Sequence, residues 1–382
     1  MSLMSSSDSL NSVQDRAANV KSREVPQFNA LKVLDVRRET PDAVSIAFDV
    51  DEYSWQYRFV PGQYLTLRRV FDNQEIRRCY SISSGVFDGE LRVVVKNMPG
   101  GIFSSFANEE LVPGMEIDVM TPTGNFGLAP ELDSRRNYVG FAVGSGITPI
   151  MSIIRSVLHS ERESHFTLLY GNQDSNSIIF KDALEDLKDA YMTRFSLVHF
   201  LSREVSQLPL HSGRIDIKKL DALSRLHFGP ANVDSVFLCG PGEMVAVLRD
   251  GLSKLGVDAG KIRAELFTPS EKQNQPHRPV RRQESLASED VEVTAILNGV
   301  GRRFKMKSGD SNVVDAALLN GVSLPYSCKG GMCSTCRARV VEGTVEMAAN
   351  YSLEPSEVAE GYVLTCQARA TSGNLVLDFD HV

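Results

Sequence analysis

Four cysteines near the C-terminal end constrain this 382-residue chain more than any other feature. Cys328, Cys333 and Cys336 follow one another as C-x4-C-x2-C, and Cys366 comes after twenty-nine intervening residues. The polar, Ser-rich N-terminus carries no apolar secretory stretch, so a disulfide-stapled fold does not fit and the cluster reads as metal ligation in a reducing compartment. Structural zinc uses paired C-x2-C or Cys and His spacing, and no second pair exists here. A Rieske centre takes two His ligands, and none lies suitably near. Unrelated buried cysteines are the bland alternative. Two irons need four thiolates, and a looped segment can wrap three of them while a distant strand brings the fourth. That is the spacing of a [2Fe–2S] centre.

The intervening residues suit the same purpose. Gly330 and Gly331 open backbone conformations closed to other residues, so amides can face the sulfurs, and Ser334 and Thr335 add small donors. Around them, 291–307 reads as a hairpin turning at Asn298-Gly299, Ser311 to Asn320 as a short helix ended by Gly321, and TVEMA, YVLTCQARA and NLVLDFD as strands. The stretch YSCKGGMCSTCRARVVEGTVEM resembles plant-type ferredoxins, which implies an α+β β-grasp fold over 291–382.

The rest of the chain has the size of two further domains. From 29 to 130, short alternating runs such as AVSIAFDV, QYLTLRRV and GELRVVVKN, parted by Gly, Pro and Asp, predict an antiparallel β-barrel. From 137 to 267, near-continuously apolar strands (YVGFAVG, FTLLYGN, FSLVHFLSRE, SVFLCGPG) alternate with helical periodicity. That pattern predicts an α/β, doubly wound parallel sheet. Residues 1–28 read as a flexible tail. Residues 268–290 hold almost no apolar side chains and read as a linker.

Each of the remaining motifs has a plain structural reading beside its functional one. Arg78-Cys79-Tyr80-Ser81 ends a predicted strand. It offers a guanidinium for a phosphate, an aromatic face and a hydroxyl, as a flavin requires; a solvated Arg beside a core Tyr is the alternative. Gly100-Gly101-Ile102-Phe103-Ser104 leads into a short helix at FANEEL and could present amides to an anion, or could be an ordinary Ser cap. Gly144-Ser145-Gly146-Ile147-Thr148-Pro149 follows the first parallel strand, where a pyrophosphate would sit, although it is not the G-x-G-x-x-G fingerprint. Cys239-Gly240-Pro241-Gly242 ends another strand at that edge; Cys239 either meets a nicotinamide or is structural. Ser202-Arg203 closes a third strand and suits a 2′-phosphate, or is a solvated loop.

In this order the motifs resemble the ferredoxin–NADP reductase family over residues 29–267. The resemblance implies FAD held by Arg78, Tyr80 and Ser81, with Gly101 and Ser104 at its pyrophosphate. It implies a nicotinamide nucleotide at Gly144, Gly146, Thr148, Cys239, Gly240 and Pro241, with Ser202 and Arg203 favouring NADPH, and Phe267 as an aromatic near the flavin. Ser81 and Cys239 would flank hydride transfer. Phthalate dioxygenase reductase, which uses FMN, shares the domain order. With the ferredoxin last, and with NYSLEPSEVAEGYVLTCQA before and around Cys366, the whole is most similar to phenylacetyl-CoA epoxidase reductases. The implied function is electron transfer from NADPH through FAD and [2Fe–2S] to an oxygenase component of phenylacetate catabolism. Reductases of Rieske oxygenases or steroid hydroxylases, and an iron–sulfur redox-sensing module, are the alternatives. A net charge of −7 argues against a nucleic-acid partner. No apolar run approaches the roughly 18–20 residues that span a bilayer, so no membrane association and a cytoplasmic location are expected.

Overall fold

The computed structural model describes residues 26–204, 208–267, 290–307 and 309–380. Residues 1–25 of the expected tail and 268–289 of the expected linker lie outside the described residues. Two compact units hold the described elements, residues 28–267 in the first and 290–380 in the second.

The first unit opens with six antiparallel strands: β1 (Phe28–Thr40), β2 (Ala43–Phe48), β3 (Tyr64–Phe71), β4 (Gln74–Ser81), β5 (Leu91–Lys96) and β6 (Glu116–Met120), in the order β4-β3-β6-β1-β2-β5. An antiparallel bridge between Ile82 and Val93 joins the two edges and closes the sheet into a barrel. Every second residue of β2 and β5 (Val44, Ile46, Phe48; Leu91, Val93, Val95) fills the barrel core. All six residues of β2 are nevertheless buried, against the half-buried alternation expected. The outward Ala43 of β2 and Val94 of β5 pack into the core of the neighbouring nucleotide domain, which covers that side. Helix α1 (Ile102–Glu109) lies on the barrel through Phe103 and Phe106, whose rings meet Phe71 at 6.3 and 5.4 Å.

Five parallel strands follow: β7 (Asn137–Val143), β8 (His165–Asn172), β9 (Phe195–Leu201), β10 (Ser235–Gly240) and β11 (Ile262–Leu266), ordered β11-β10-β7-β8-β9. Alternate strand residues feed two cores. Tyr138, Phe166, Leu168, Tyr170 and Phe237 face helices α2 (Ile147–Ser160) and α3 (Lys181–Ala190). Val139, Phe141, Leu169, Val198 and Leu238 face α4 (Ile217–His227) and α5 (Gly242–Lys254). Burial on both faces is why these strands read as continuous apolar runs. The chain leaves β7 toward β8 on one side and takes up β10 on the other, so the switch point lies between β7 and β10.

Barrel and parallel sheet are joined by polar contacts that run from the interior to the surface. Ser152 of α2 donates to the Ser84 carbonyl at 2.7 Å, and the Val86 amide donates to Ser156 Oγ at 3.1 Å. Arg155 pairs with Asp88 at 2.9 Å.

The second unit is the β-grasp module: β12 (Val291–Leu297), β13 (Val300–Met306), β14 (Arg337–Glu342), β15 (Val345–Met347), β16 (Tyr362–Leu364), β17 (Ala368–Ala370) and β18 (Asn374–Asp378). Its main sheet runs β13-β12-β18-β14-β16, with β12 and β18 parallel, and β15 pairs with β17 apart from it. The hairpin turns at Asn298-Gly299, both at positive φ, as the Asn-Gly pair requires. Helix α6 (Val313–Leu319) is shorter than the expected 311–320 because the Asn312 side chain caps it at the Asp315 amide. A further short helix, α7 (Pro355–Ala359), was not anticipated.

Candidate redox-cofactor sites

The four C-terminal cysteines come together. The ligand loop runs from α6 into β14, and Cys366 sits in the turn between β16 and β17. Thr365 draws that turn inward, its amide and hydroxyl both bonding the Cys336 carbonyl, at 3.0 and 2.8 Å. The expected single strand YVLTCQARA is therefore two short strands parted by the turn that presents Cys366. Cys333, Cys336 and Cys366 are buried, and none of the six cysteines forms a disulfide.

The thiols crowd one another: Cys328 lies against Cys333, and Cys336 against Cys366, with further thiols of the set close by. That contact, followed by burial, holds the Cys328 and Cys336 thiols well above their ordinary value. Four crowded thiols of this kind ionise together only against strong positive charge, which two irons supply. Among the described residues no three His, Cys, Asp or Glu side chains converge on a single metal ion. Four cysteine thiols are the ligand set that a dinuclear iron–sulfur cluster takes. Amides and hydroxyls already face the sulfurs. Gly330 N lies 3.3 Å from Cys328 Sγ, Cys328 N lies 3.4 Å from Cys333 Sγ, and Thr335 Oγ1 lies 3.3 Å from Cys333 Sγ. Ser334, at φ +53°, serves through its backbone: its carbonyl accepts from Arg337 N. Gln367 completes this shell, with Nε2 3.7 Å from Cys366 Sγ. Sequence reading passed over it, although its place directly after the fourth cysteine was a usable signal.

On the barrel, Arg78 and Tyr80 alternate along β4 and so share one face, while Ser81 ends the strand buried opposite Tyr64. The Tyr80 ring lies 5.8 Å from that of Phe103, which puts the first turn of α1 beside it. Arg78 donates to the neighbouring Arg77 carbonyl at 2.8 Å. Helix α1 starts at Ile102 with Gly101 as its N-cap, so Ser104 belongs to the first turn and does not precede the helix. Its hydroxyl accepts from Met98 N at 3.1 Å and donates to the Gly101 carbonyl at 3.0 Å, closing the glycine turn. A Cβ added at Gly100, where φ is +72°, would meet nothing within 4 Å. Bare backbone therefore faces open space just ahead of α1, where amides can meet an anion.

At the carboxyl edge of the parallel sheet, the turns after β7 and β10 touch. A Cβ on Gly146 would lie 2.2 Å from the Cys239 carbonyl oxygen, and one on Gly240 would lie 3.2 Å from Val143 Cβ. Gly144 sits at φ +55° with open space before it, its carbonyl accepting from the Tyr170 hydroxyl at 3.0 Å. Thr148 Oγ1 donates to the Ser145 carbonyl at 3.0 Å. Cys239 is buried, and desolvation followed by the Glu265 carboxylate pushes its thiol well up, so it stays protonated. Pro241 caps α5, and the Phe267 amide donates to the Gly240 carbonyl at 3.0 Å. Ser202 and Arg203 are exposed past the end of β9, their amides bound to the Asn172 and Gln173 carbonyls at 3.0 and 2.8 Å. Gly144, Gly146, Thr148, Cys239, Gly240, Pro241 and Phe267 thus surround one switch point, with Ser202 and Arg203 at the end of β9, two strands away.

Comparison with known proteins follows the same divisions. Residues 30–127 match the oxidoreductase FAD-binding domain, 141–250 the oxidoreductase NAD-binding domain and 295–371 the 2Fe-2S iron-sulfur cluster binding domain. The chain is 43% identical over 354 residues to one of the subunits of 1,2-phenylacetyl-CoA epoxidase of Escherichia coli (strain K12), covering 92% of this chain and 98% of that protein. It is 34% identical over 360 residues to the ferredoxin reductase component of 3-ketosteroid-9-alpha-monooxygenase of Mycobacterium tuberculosis, covering 92% and 95%. The solved structure of phthalate dioxygenase reductase shares the fold at 22% identity and a TM-score of 0.54, over 92% of this chain and 98% of that one. No helix among the described residues is long and apolar enough to cross a membrane. The chain belongs to the family of oxygenase reductases in which a FAD-binding barrel, an NAD-binding domain and a C-terminal 2Fe-2S ferredoxin follow one another in one polypeptide.

Proposed function

We propose that this protein is the NADPH-dependent reductase of a phenylacetyl-CoA epoxidase-like complex, delivering electrons through FAD and [2Fe–2S] to a separate oxygenase component. When bound, the flavin takes two electrons as hydride and gives them up singly, which is what joins a nicotinamide to an iron–sulfur centre. The observation that carries the reading is the end-to-end identity of 43% with a phenylacetyl-CoA epoxidase polypeptide.

In this reading Arg78 meets a FAD phosphate, Tyr80 offers its ring to the isoalloxazine, and Ser81 places its hydroxyl at the flavin N5. The amides beyond Gly101 receive the pyrophosphate, with Ser104 holding their turn. Gly144, Gly146 and Thr148 shape the nucleotide's pyrophosphate seat. Cys239, Gly240 and Pro241 line the nicotinamide, where a protonated thiol packs without adding charge. Phe267 closes the site toward the flavin. Exposed Ser202 and Arg203 suit a 2′-phosphate, which favours NADPH over NADH. Cys328, Cys333, Cys336 and Cys366 ligate the two irons, and their need for reducing conditions suits a cytoplasmic protein.

The test is anaerobic reduction followed by coupling. NADPH should bleach the flavin and then the iron–sulfur bands. The reduced protein should support phenylacetyl-CoA-dependent NADPH oxidation with an epoxidase oxygenase component. Coupling to a 3-ketosteroid monooxygenase oxygenase instead would favour the second reading, which the 34% identity supports. A bound flavin that NADPH never reduces would favour a redox sensor and end the reductase reading.

A further inference from the structure

Lys329 stands in a left-handed backbone conformation, φ +49°, between the first ligand and two glycines. Residues with a Cβ seldom adopt that region, so the surroundings must hold it there. Two ties do so. The Lys329 ammonium pairs with Asp315 Oδ1 at 2.8 Å, and the Lys329 carbonyl accepts from Gln367 Nε2 at 2.8 Å. The same Nε2 lies 3.0 Å from the Cys366 carbonyl and 3.7 Å from Cys366 Sγ. Two carbonyl acceptors fix the orientation of the amide, because its oxygen could bond neither. The stem of Gln367 packs on Gly331, where an added Cβ would lie 3.1 Å from Gln367 Cγ.

One carboxamide therefore spans from the loop of the first three cysteines to the segment of the fourth. We propose that Gln367 is a positioning residue for the cluster, holding those two segments in register and sharing with the Cys366 sulfur the N–H that also bonds the Cys366 carbonyl. The inference rests on the [2Fe–2S] reading above. Two consequences follow. An N–H facing a ligand sulfur stabilises the more negative, reduced state, so its loss lowers the cluster potential. Releasing the Lys329 carbonyl frees the backbone that turns Gly330 N toward Cys328 Sγ, so iron should leave more readily.

The experiment uses full-length holoprotein. Gln367→Leu keeps the bulk and removes the donor; Gln367→Asn keeps the carboxamide but shortens its reach. Midpoint potential is read by a mediated redox titration of the visible bands, and iron release by the rate of chelator capture. Gln367→Leu should show a more negative potential and iron loss several-fold faster than wild type, with reduction of the flavin by NADPH unaltered. Gln367→Asn should move both readouts in the same direction, and it decides the question alone if the Leu protein assembles no cluster. Wild-type potential and release rate in Gln367→Asn together with Gln367→Leu, or in Gln367→Asn alone where Leu fails to load, would overturn the inference while leaving the reductase reading intact. Wild-type protein without iron–sulfur bands would overturn the reading itself and this inference with it.

Discussion

Gly146 and the Cys239 carbonyl are in such close contact that a methyl group on the glycine would stand 2.2 Å from the oxygen. The contact clamps the turn after β7 to the turn after β10 across the switch point. Gly146→Ala must push these turns apart, since the obstacle is backbone and cannot rotate away. The Michaelis constant for NAD(P)H should rise about tenfold or more, the factor that ~1.4 kcal/mol represents, while flavin and iron–sulfur absorption stay unchanged. Steady-state kinetics with a dye acceptor checks this, and unaltered kinetics would count against a nucleotide at this edge.

Arg203 is exposed beyond β9, with its amide tied to the Gln173 carbonyl. Its loop position is thus held by backbone, and the side chain can be changed without disturbing it. Arg203→Glu should raise the Michaelis constant for NADPH by about tenfold or more and that for NADH by less than about twofold, since a charge-assisted phosphate contact is worth roughly 1.5–3 kcal/mol. An equal change for both nucleotides would remove the argument for NADPH.

Cys333 is buried, with Thr335 Oγ1 beside its sulfur. Cys333→Ser should abolish the visible iron–sulfur absorption and leave flavin reduction by NADPH in place, because the flavin strands belong to the other compact unit. Persistence of the iron–sulfur spectrum would mean the ligand set is misassigned.

Asp35 bonds Arg92 at 2.7 Å, and the Arg92 side chain is only 6% exposed. The Arg92 hydrogen bond holds the Asp35 carboxyl below its ordinary 3.8. A depressed carboxylate adds stability above its unfolded value and loses it as pH falls through the folded one. Asp35→Asn should therefore lower the melting temperature at pH 7. The gap to wild type should close as pH drops below 3.8. Glu90 still pairs with Arg92 at 2.9 Å, and Asp35 is 36% exposed at its side chain, so solvent-screened loss of about 1 kcal/mol is expected. Thermal melts followed by far-ultraviolet circular dichroism at a series of pH values check this. A pH-independent difference would refute the linkage.

Much of this was legible because some patterns are dictated locally. Four thiolates for two irons set the cysteine spacing, Asn298-Gly299 sets a two-residue hairpin, and strands buried on both faces are apolar throughout. What escaped depended on contacts far along the chain. Helix α1 begins at Ile102 because Phe103 and Phe106 must reach Phe71, a pairing no local window reveals. The run YVLTCQARA has strand composition, yet the Cys336 carbonyl captures Thr365 and breaks it. Strand β14 passed unnoticed because its charged residues mask a sheet position between β18 and β16. Gln367 and Tyr170 looked like ordinary residues, since only the fold brings them to the Lys329 and Gly144 carbonyls.

The buried bond from Ser152 to the Ser84 carbonyl, 2.7 Å long and three residues beyond Ser81, carries one more consequence. It fastens the continuation of β4 directly to the first helix of the nucleotide domain. In the proposed reading, the gap that hydride must cross lies between two domains that this bond ties together. Evolution of such an enzyme can then vary its surface, and with it the acceptor served, without disturbing the distance on which the first chemical step depends.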